Sequence, residues 1–261
     1  MTDRVYPWHE MKKYVLLLLL AWPVLYAGAQ ETTGFTADRP GATTGVDVMP
    51  KGRVQWETGV AWEHSRLEGP AATTWTLNTS LLRWGFSDTA ELRLQGDWLQ
   101  TSAAGDHFSG LANVAVGTKV RLFEGWKAVP AISLQGHVLV PGGSEAHYLP
   151  AHWGGQLGLL FQNELTSWLS LGYEGDLVWS DTSRPTAFFG LCLGFALSSR
   201  LSLAVEEYNY NTSDGTDCWS EIALSYQLTP RLQLDLGTDI CLSHFLDYHN
   251  VMAGVAWQLT K

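Results

Sequence analysis

The side chains best suited to chemistry in this sequence are charged groups at every second position of otherwise apolar stretches. Glu91 and Arg93, for example, alternate with Leu92 and Leu94. Successive side chains of a β-strand point to opposite faces, so such a stretch predicts one charged face and one apolar face. We predict that the charged faces line one continuous interior. The candidate lining residues are Glu57, Glu63, Glu91, Arg93, Asp97, Lys119, Arg121, Glu174, Asp176, Glu221, Asp235 and Asp239.

This charged interior has two interpretations, which the sequence leaves open. Charged groups facing water would select what passes along a lumen, whereas charged groups removed from water must pair with one another. Neighbouring strands bring Glu91 and Arg93 close to Lys119 and Arg121, so pairing is feasible. Both arrangements can hold at different levels of one interior.

Other reactive residue types give weaker patterns. The histidines in predicted connections are scattered, so no metal site is predicted; they are His64, His107, His147, His152, His244 and His249. His107 and Ser109, followed by Asn113, superficially resemble the histidine–serine pair of outer-membrane phospholipases. That chemistry needs a lipid-facing triad on strands, whereas this pair lies in a predicted loop and Asn113 is predicted to face inward. No catalytic residue, no cofactor and no enzymatic activity are therefore predicted.

The three cysteines, Cys192, Cys218 and Cys241, are an odd number for a secreted chain. Cys218 and Cys241 fall near the same end of two consecutive predicted strands. The alternation places them on opposite faces, so a disulfide between them would require a β-bulge.

Twelve stretches share the alternating pattern, and each is close to the ~9–11 residues that a tilted strand needs to cross a bilayer. They span residues 53–64, 74–84, 90–99, 112–123, 130–140, 156–162, 167–179, 186–197, 201–210, 218–228, 232–241 and 248–259. An even number of strands is typical of bacterial single-chain barrels. The predicted fold is all-β: a transmembrane antiparallel up-and-down β-barrel of about 12 strands.

The connections between these stretches are alternately short and long. Short turns face the periplasm and long loops the exterior in such barrels, so both termini are predicted on the periplasmic side. Residues 101–109 and 141–153 are among the predicted exterior loops. Tryptophans concentrate at strand ends, as expected for two interfacial girdles; Trp219 is assigned to the exterior girdle, together with Trp62, Trp75, Trp98 and Trp179.

One stretch fits this scheme poorly. Leu201, Leu203 and Val205 put Glu207 on the lipid-facing side, where a charge in mid-membrane is costly. Either Glu207 lies above the hydrocarbon layer or a bulge at Glu206 and Glu207 changes the phase of the strand.

The N-terminal region predicts secretion. Lys12 and Lys13 precede the apolar residues 14–25, and the small residues 27–29 provide a cleavage site, so 1–29 is predicted to be a signal peptide. Two acidic residues among the first ten are unusual there, which makes Met11 a candidate for the true start. The apolar run is shorter than the roughly 20 residues of a membrane helix.

Residues 30–51 show no strand alternation and form a predicted leader before the barrel, which spans 52–261. Asp38, Arg39 and Pro40 are candidates for a plug inside the barrel; the alternative is a disordered periplasmic leader. The formal net charge of −10 disfavours nucleic acid as a partner. The oligomeric state is left open.

Several segments together resemble the outer-membrane proteins named for the meta-pathway of phenol degradation, relatives of the fatty-acid-transporter-like barrels. The similar segments are residues 36–40 (TADRP), 50–52 (PKG), 57–59 (ETG), 81–88 (LLRWGFSD), 91–93 (ELR) and 117–124 (GTKVRLFE). The resemblance favours the plug for Asp38, Arg39 and Pro40. It implies an outer-membrane channel or transporter for small hydrophobic or aromatic compounds, in contact with outer-membrane lipid. A closed structural or binding barrel and a lipid-modifying enzyme are the alternatives.

Overall fold

The computed structural model describes residues 35–67, 70–126, 128–142, 147–181, 184–212, 215–242, 244 and 246–260. Its elements are twelve strands: β1 (Val54–Ser65), β2 (Ala72–Gly85), β3 (Ala90–Ala103), β4 (Asp106–Phe123), β5 (Ala131–Leu139), β6 (Gly154–Glu164), β7 (Leu169–Trp179), β8 (Thr186–Ala196), β9 (Leu201–Asn211), β10 (Thr216–Thr229), β11 (Leu232–Cys241) and β12 (Tyr248–Gln258). No helix among these residues is long and apolar enough to cross a membrane. The predicted signal peptide, residues 1–29, lies outside the described residues.

The strands form a closed antiparallel barrel in which each strand pairs with its neighbours in sequence. The first and last strands close the ring in unbroken register from Gln55↔Gln258 to Ser65↔Tyr248. Closure gives every strand two pairing partners, which satisfies the backbone polar groups without water, as a lipid environment requires. The predicted twelve-stranded up-and-down barrel is therefore confirmed.

The outer surface of the barrel is apolar. Large side chains that a soluble protein would bury are between a third and three quarters exposed here, among them Leu94, Val116, Leu157 and Leu236. The burial pattern alternates along each strand, so these residues face outward while charged residues face inward. A surface of this kind suits the lipid of an outer membrane.

The hairpin of β3 and β4 corrects one expectation. Residues 101–109 were predicted to be a loop, but both strands continue through them and only Ala104 and Gly105 form the turn. Both residues have positive φ, 52° and 93°, which suits a two-residue hairpin connection. The β4 strand is 18 residues long, more than the bilayer requires. The hairpin therefore projects beyond the membrane.

Trp219 corrects a second expectation. It was assigned to a lipid-facing girdle, but its ring stacks on Tyr208 and meets Tyr248, and both tyrosines are buried inside the barrel. Ile222, three positions further along β10, is exposed on the outer face. Because successive side chains of a strand point to opposite faces, the side chain of Trp219 must point inward.

The register of β9 determines where Glu207 lies. The register of β9 with both neighbours is continuous, so no bulge occurs and Glu207 is exposed on the outer face. Glu206 faces the interior. Cys218 is exposed and Cys241 is buried, on opposite faces of the wall, and no disulfide joins them.

Candidate functional site

All twelve candidate lining residues lie on the inward face of the wall. Glu63, Asp97 and Arg121 are half-buried, and the other nine are buried. Their burial is due partly to neighbouring strands and partly to the segment before β1. Residues 35–51 of the predicted leader, 30–51, are among the described residues, and the contacts of the leader given below are theirs.

The leader lies inside the barrel and crosses its lumen. On one side, the backbone N–H of Met49 donates to Glu91 of β3 at 2.6 Å. On the other, the backbone N–H groups of Ala42 and Thr43 donate to Glu206 of β9 at 3.1 and 2.9 Å. Strands β3 and β9 are six positions apart in a ring of twelve, hence on opposite walls.

Asp38 of the leader is the centre of a buried ionic cluster. Its carboxylate contacts three cations on three consecutive strands: it is 3.6 Å from Arg83 Nη1, it accepts a hydrogen bond from Arg93 Nη1, and it is 3.0 Å from Lys119 Nζ. Arg83 and Lys119 are fully buried. The inward phase of β2, β3 and β4 brings the three cations together.

Two wall carboxylates complete this cluster. Glu91 accepts hydrogen bonds from Arg83 at 3.0 Å and from Arg93 at 2.7 Å. Glu57 lies 3.0 Å from Arg83 Nη1 and also accepts the backbone N–H groups of Asp38 and Arg39. Every carboxylate of the cluster therefore touches a guanidinium group.

The charge of the cluster balances only when the leader is present. The wall supplies three cations, Arg83, Arg93 and Lys119, against two carboxylates, Glu57 and Glu91. The carboxylate of Asp38 is the third negative charge. Because an uncompensated buried charge is strongly unfavourable, the wall itself favours the leader in this position.

The protonation of Asp38 follows from its neighbours. Burial alone would raise the pKa of Asp38, but the positive charges of Arg83, Lys119 and Arg93 hold that pKa well below its ordinary value. The carboxylate is thus ionised over the whole range in which proteins normally function.

Arg39 makes a second connection between leader and wall. Its guanidinium lies 3.1 Å from Asp235 of β11 and donates to Thr79 of β2 at 2.9 Å. Gly59 and Gly254 face it, and a Cβ on either glycine would overlap the guanidinium group. The two glycines therefore provide the room that Arg39 occupies.

The rest of the leader is also held by specific contacts. The Thr43 hydroxyl donates to Glu206 at 2.8 Å, and Asp47 pairs with Arg121 at 2.7 Å. Ser133 donates to the carbonyl of Val46 at 2.6 Å, and Val46 is 3% exposed. Pro40, the third plug candidate, is half-buried between these anchors.

A cavity of about 220 Å³ lies in the lumen beside the leader. Its lining combines hydrogen-bonding and apolar groups: Arg39, Glu57, Thr79, Ser80, Leu81, Gln95, Asp97 and Asn113. Asn113 sits at a β-bulge with a φ of 53° and donates to Asp97 at 2.7 Å. The cavity shows that the lumen is incompletely filled on this side.

Sequence reasoning missed two central residues, Arg83 and Glu206. Arg83 lies between the outward Leu82 and Trp84, so the alternation itself assigns it to the interior. Glu206 is likewise opposite in phase to Val205. The signal was present in both cases, but Arg83 was noted only as part of a family segment.

The histidine and serine that superficially resemble the phospholipase pair lie on the β3–β4 hairpin. His107 Nδ1 is 2.8 Å from Ser102 Oγ, its partner across the hairpin, while Ser109 pairs in register with Gln100. Across the described ranges, no group of three or more histidine, cysteine, aspartate or glutamate side chains is arranged to hold a metal ion.

A closed twelve-stranded barrel with an apolar exterior and a charged interior defines the fold class of outer-membrane β-barrels. A family model described as "Putative MetA-pathway of phenol degradation" matches residues 37–243, and the chain belongs to this family. The resemblance detected in the sequence is therefore confirmed.

Solved structures support the same fold. The crystal structure of an outer membrane channel from Pseudomonas putida F1 is similar with a TM-score of 0.65 and 13% identity, over 84% of this chain and 99% of that one. The NanC porin is similar with a TM-score of 0.50 and 11% identity, over 77% of this chain and 100% of that one. The comparison with curated proteins found no match.

Proposed function

We propose that the protein is an outer-membrane channel for small hydrophobic or aromatic compounds and that its leader restricts the passage. The observation that carries this proposal is the position of the leader across the lumen, attached to opposite walls through Asp38 and through Thr43 with Glu206. Membership of the phenol-degradation family and the fold of a known outer membrane channel support the channel role.

The size and lining of the lumen cavity support the solute class. A volume of about 220 Å³ is large enough for a single aromatic ring, and Leu81 gives it an apolar contact. Thr79 and Gln95 offer hydrogen bonds to a hydroxyl group on such a ring. Because seven of the eight lining residues are polar or charged, this cavity suits an aromatic ring that carries a hydroxyl group better than a pure hydrocarbon.

Reconstitution tests the proposal. The purified protein is inserted into vesicles containing lipopolysaccharide, which slow the passage of apolar solutes, and the influx of phenol is compared with that of glucose. We expect faster phenol influx than in protein-free vesicles and a further increase when residues 30–51 are deleted. A difference in migration between unheated and heated samples in detergent gels verifies that each variant is folded.

The same experiment identifies the alternatives. A folded barrel that admits no phenol with or without the leader would contradict the proposal and favour a closed structural or binding barrel. Lipid hydrolysis that disappears on substitution of His107 or Ser109 would instead favour an enzyme.

A further inference from the structure

The half of the lumen distant from the chain termini, called here the distal lumen, contains a continuous row of five aromatic rings. Phe188 lies 5.1 Å from Tyr210 and 6.0 Å from Tyr208, measured between ring centroids. Tyr208 stacks on Trp219 at 6.2 Å with an interplanar angle of 7°, and Trp219 meets Tyr248 edge-on at 4.4 Å. The row extends from β8 to β12.

The strand register explains why the row is unbroken. Tyr208 is the direct partner of Trp219, and the partner of Trp219 on β11 is Cys241. Cys241 is small and fully buried, so the rings of Trp219 and Tyr248 can meet across it. The row is thus unbroken because Cys241, a small residue at this level of the wall, leaves room for the large rings on either side of it.

Carboxylates lie directly against these rings. The hydroxyl of Tyr208 donates to Asp239 at 2.8 Å, and the hydroxyl of Tyr248 donates to Glu63 at 3.3 Å. Glu221 is two positions from Trp219 on the same inward face and pairs in register with Asp239. Ring faces and carboxyl groups therefore share one compartment.

No lysine or arginine among the described residues forms an ion pair with Glu63, Glu221 or Asp239. The lysine and arginine ion pairs found there go to other residues: Asp38, Asp47, Glu57, Glu91 and Asp235. Glu221 is only 3% exposed and Asp239 only 5% exposed. One carboxylate oxygen of each, Oε1 of Glu221 and Oδ1 of Asp239, has no hydrogen-bond partner within the described residues.

This combination matches one ligand chemistry. A carboxylate that is buried without a cationic partner is unfavourable in its ionised form, so a positive charge brought into the distal lumen would favour ionisation and be stabilised by it. A bare metal ion would need several convergent oxygen ligands, and the described residues contain no such cluster. A cation spread over methyl or ring groups, by contrast, is attracted both by carboxylates and by aromatic faces.

We infer that the distal lumen is a binding site for small organic cations, quaternary or protonated amines carried on an aromatic or alkyl frame. As a statement about which solutes the channel prefers, this inference rests on the proposed function. Tyr210, at the mouth, is 41% exposed, whereas Tyr208 is 7% exposed. A cation entering from the distal end thus meets an accessible ring first and the carboxylates below it.

Calorimetric titration of the full-length protein in detergent tests the site with a charge series of similar ligands. We expect benzyltrimethylammonium to bind at least tenfold more tightly than benzyl alcohol, and benzoate to bind more weakly than either. Equal affinity for the three ligands would overturn the inference. Because this series uses the unmodified protein, its outcome does not depend on whether any variant folds.

Substitutions then locate the binding. Glu221→Gln and Trp219→Leu should each weaken benzyltrimethylammonium binding about tenfold, the factor that corresponds to about 1.4 kcal/mol. Trp219→Phe, which keeps a ring face, should retain more affinity than Trp219→Leu. The matched control is Asp106→Asn, which removes a carboxylate from the exposed β3–β4 turn and should leave the affinity unchanged. Unchanged affinity in both Glu221→Gln and Trp219→Leu would overturn the assignment.

The titration and the vesicle assay fail in different ways. Phenol influx without selective binding of the cation would leave the channel intact and refute this inference. Selective binding without influx of any solute would support the site and refute the channel.

Discussion

At the scale of single residues, Asp38 makes the largest number of ionic contacts between the leader and the wall. Its one carboxylate joins the leader to Arg83, Arg93 and Lys119 and makes the buried cluster neutral. A residue outside the barrel strands thus completes the electrostatics of the wall.

Asp38→Asn should therefore destabilise the folded barrel. The amide leaves one positive charge of the cluster uncompensated, and breaking a buried ion pair typically costs about 3–5 kcal/mol. Guanidinium unfolding in detergent, followed by tryptophan fluorescence, measures the change. Asp88→Asn is a suitable control because Asp88 is exposed in the β2–β3 turn. Equal stability of the two variants would show that the cluster is not coupled to the leader.

The difference in unfolding free energy between the wild type and Asp38→Asn should change with pH in a defined direction. The cations around Asp38 lower its pKa in the folded state, so its contribution is complete above the unfolded-state pKa of about 3.9 and disappears only as the pH falls below that value. The difference in unfolding free energy between the wild type and Asp38→Asn should be the same at pH 6 and pH 5 and smaller at pH 3. A difference that vanishes between pH 6 and pH 5 would contradict this account.

Charge reversals at Arg93 and Arg121 should differ in effect. Arg93 is 5% exposed and contacts both Asp38 and Glu91. The side chain of Arg121 is 21% exposed, and its one ion pair among the described residues is with the more exposed Asp47. We expect Arg93→Glu to lower the melting temperature clearly more than Arg121→Glu. Similar melting temperatures for both variants would mean that the interior is uniformly wet.

At the scale of elements, the sequence predicted the segments that contact lipid accurately and the segments beyond the membrane less accurately. All twelve strands were found because lipid outside and a polar lumen inside impose alternation. The ends of β3 and β4 were missed because Thr101, Ser102 and His107 extend beyond the membrane, where no apolar face is needed. Turn residues such as Gly105 then dominated the pattern and predicted a loop that begins too early.

The leader could be anticipated only through the family resemblance at Asp38, Arg39 and Pro40. It has no periodicity, so neither its path across the lumen nor its partners on the wall could be predicted. Trp219 illustrates a conflict between two rules: alternation assigns it to the interior and the preference of tryptophan for interfaces assigns it to a girdle. Alternation prevails because it is fixed by backbone geometry.

Displacing Arg39, a second anchor of the leader, should make the leader more accessible to a protease. Gly254→Leu would fill the space that the guanidinium of Arg39 occupies, without changing any charge. We expect faster cleavage of the leader by an added protease, while the barrel stays folded in an unheated gel. Gly136→Leu is the comparison, because the nearest atoms to a Cβ there are 3.8 Å away. The same cleavage rate for both would contradict the assigned position of Arg39.

At the scale of the whole molecule, the barrel and its leader form one electrostatic unit with two unlike sides. The wall formed by β2, β3 and β4 carries cations that the leader neutralises, and the wall from β9 to β12 carries carboxylates next to aromatic rings. Such an asymmetry would direct a solute along one side of the lumen. Strand number alone could not reveal this, because it limits the diameter of a barrel but not its filling.

The central claim, that the leader occupies and restricts a channel, is tested most directly by single-channel conductance in planar bilayers. The full-length protein is compared with a variant lacking residues 30–51 and with Asp38→Asn, each shown to be folded by its gel migration. The account predicts a small conductance for the full-length protein, a larger and steadier one after deletion, and frequent transitions between the two levels for Asp38→Asn. The same conductance in all three proteins would show that the leader does not obstruct the lumen.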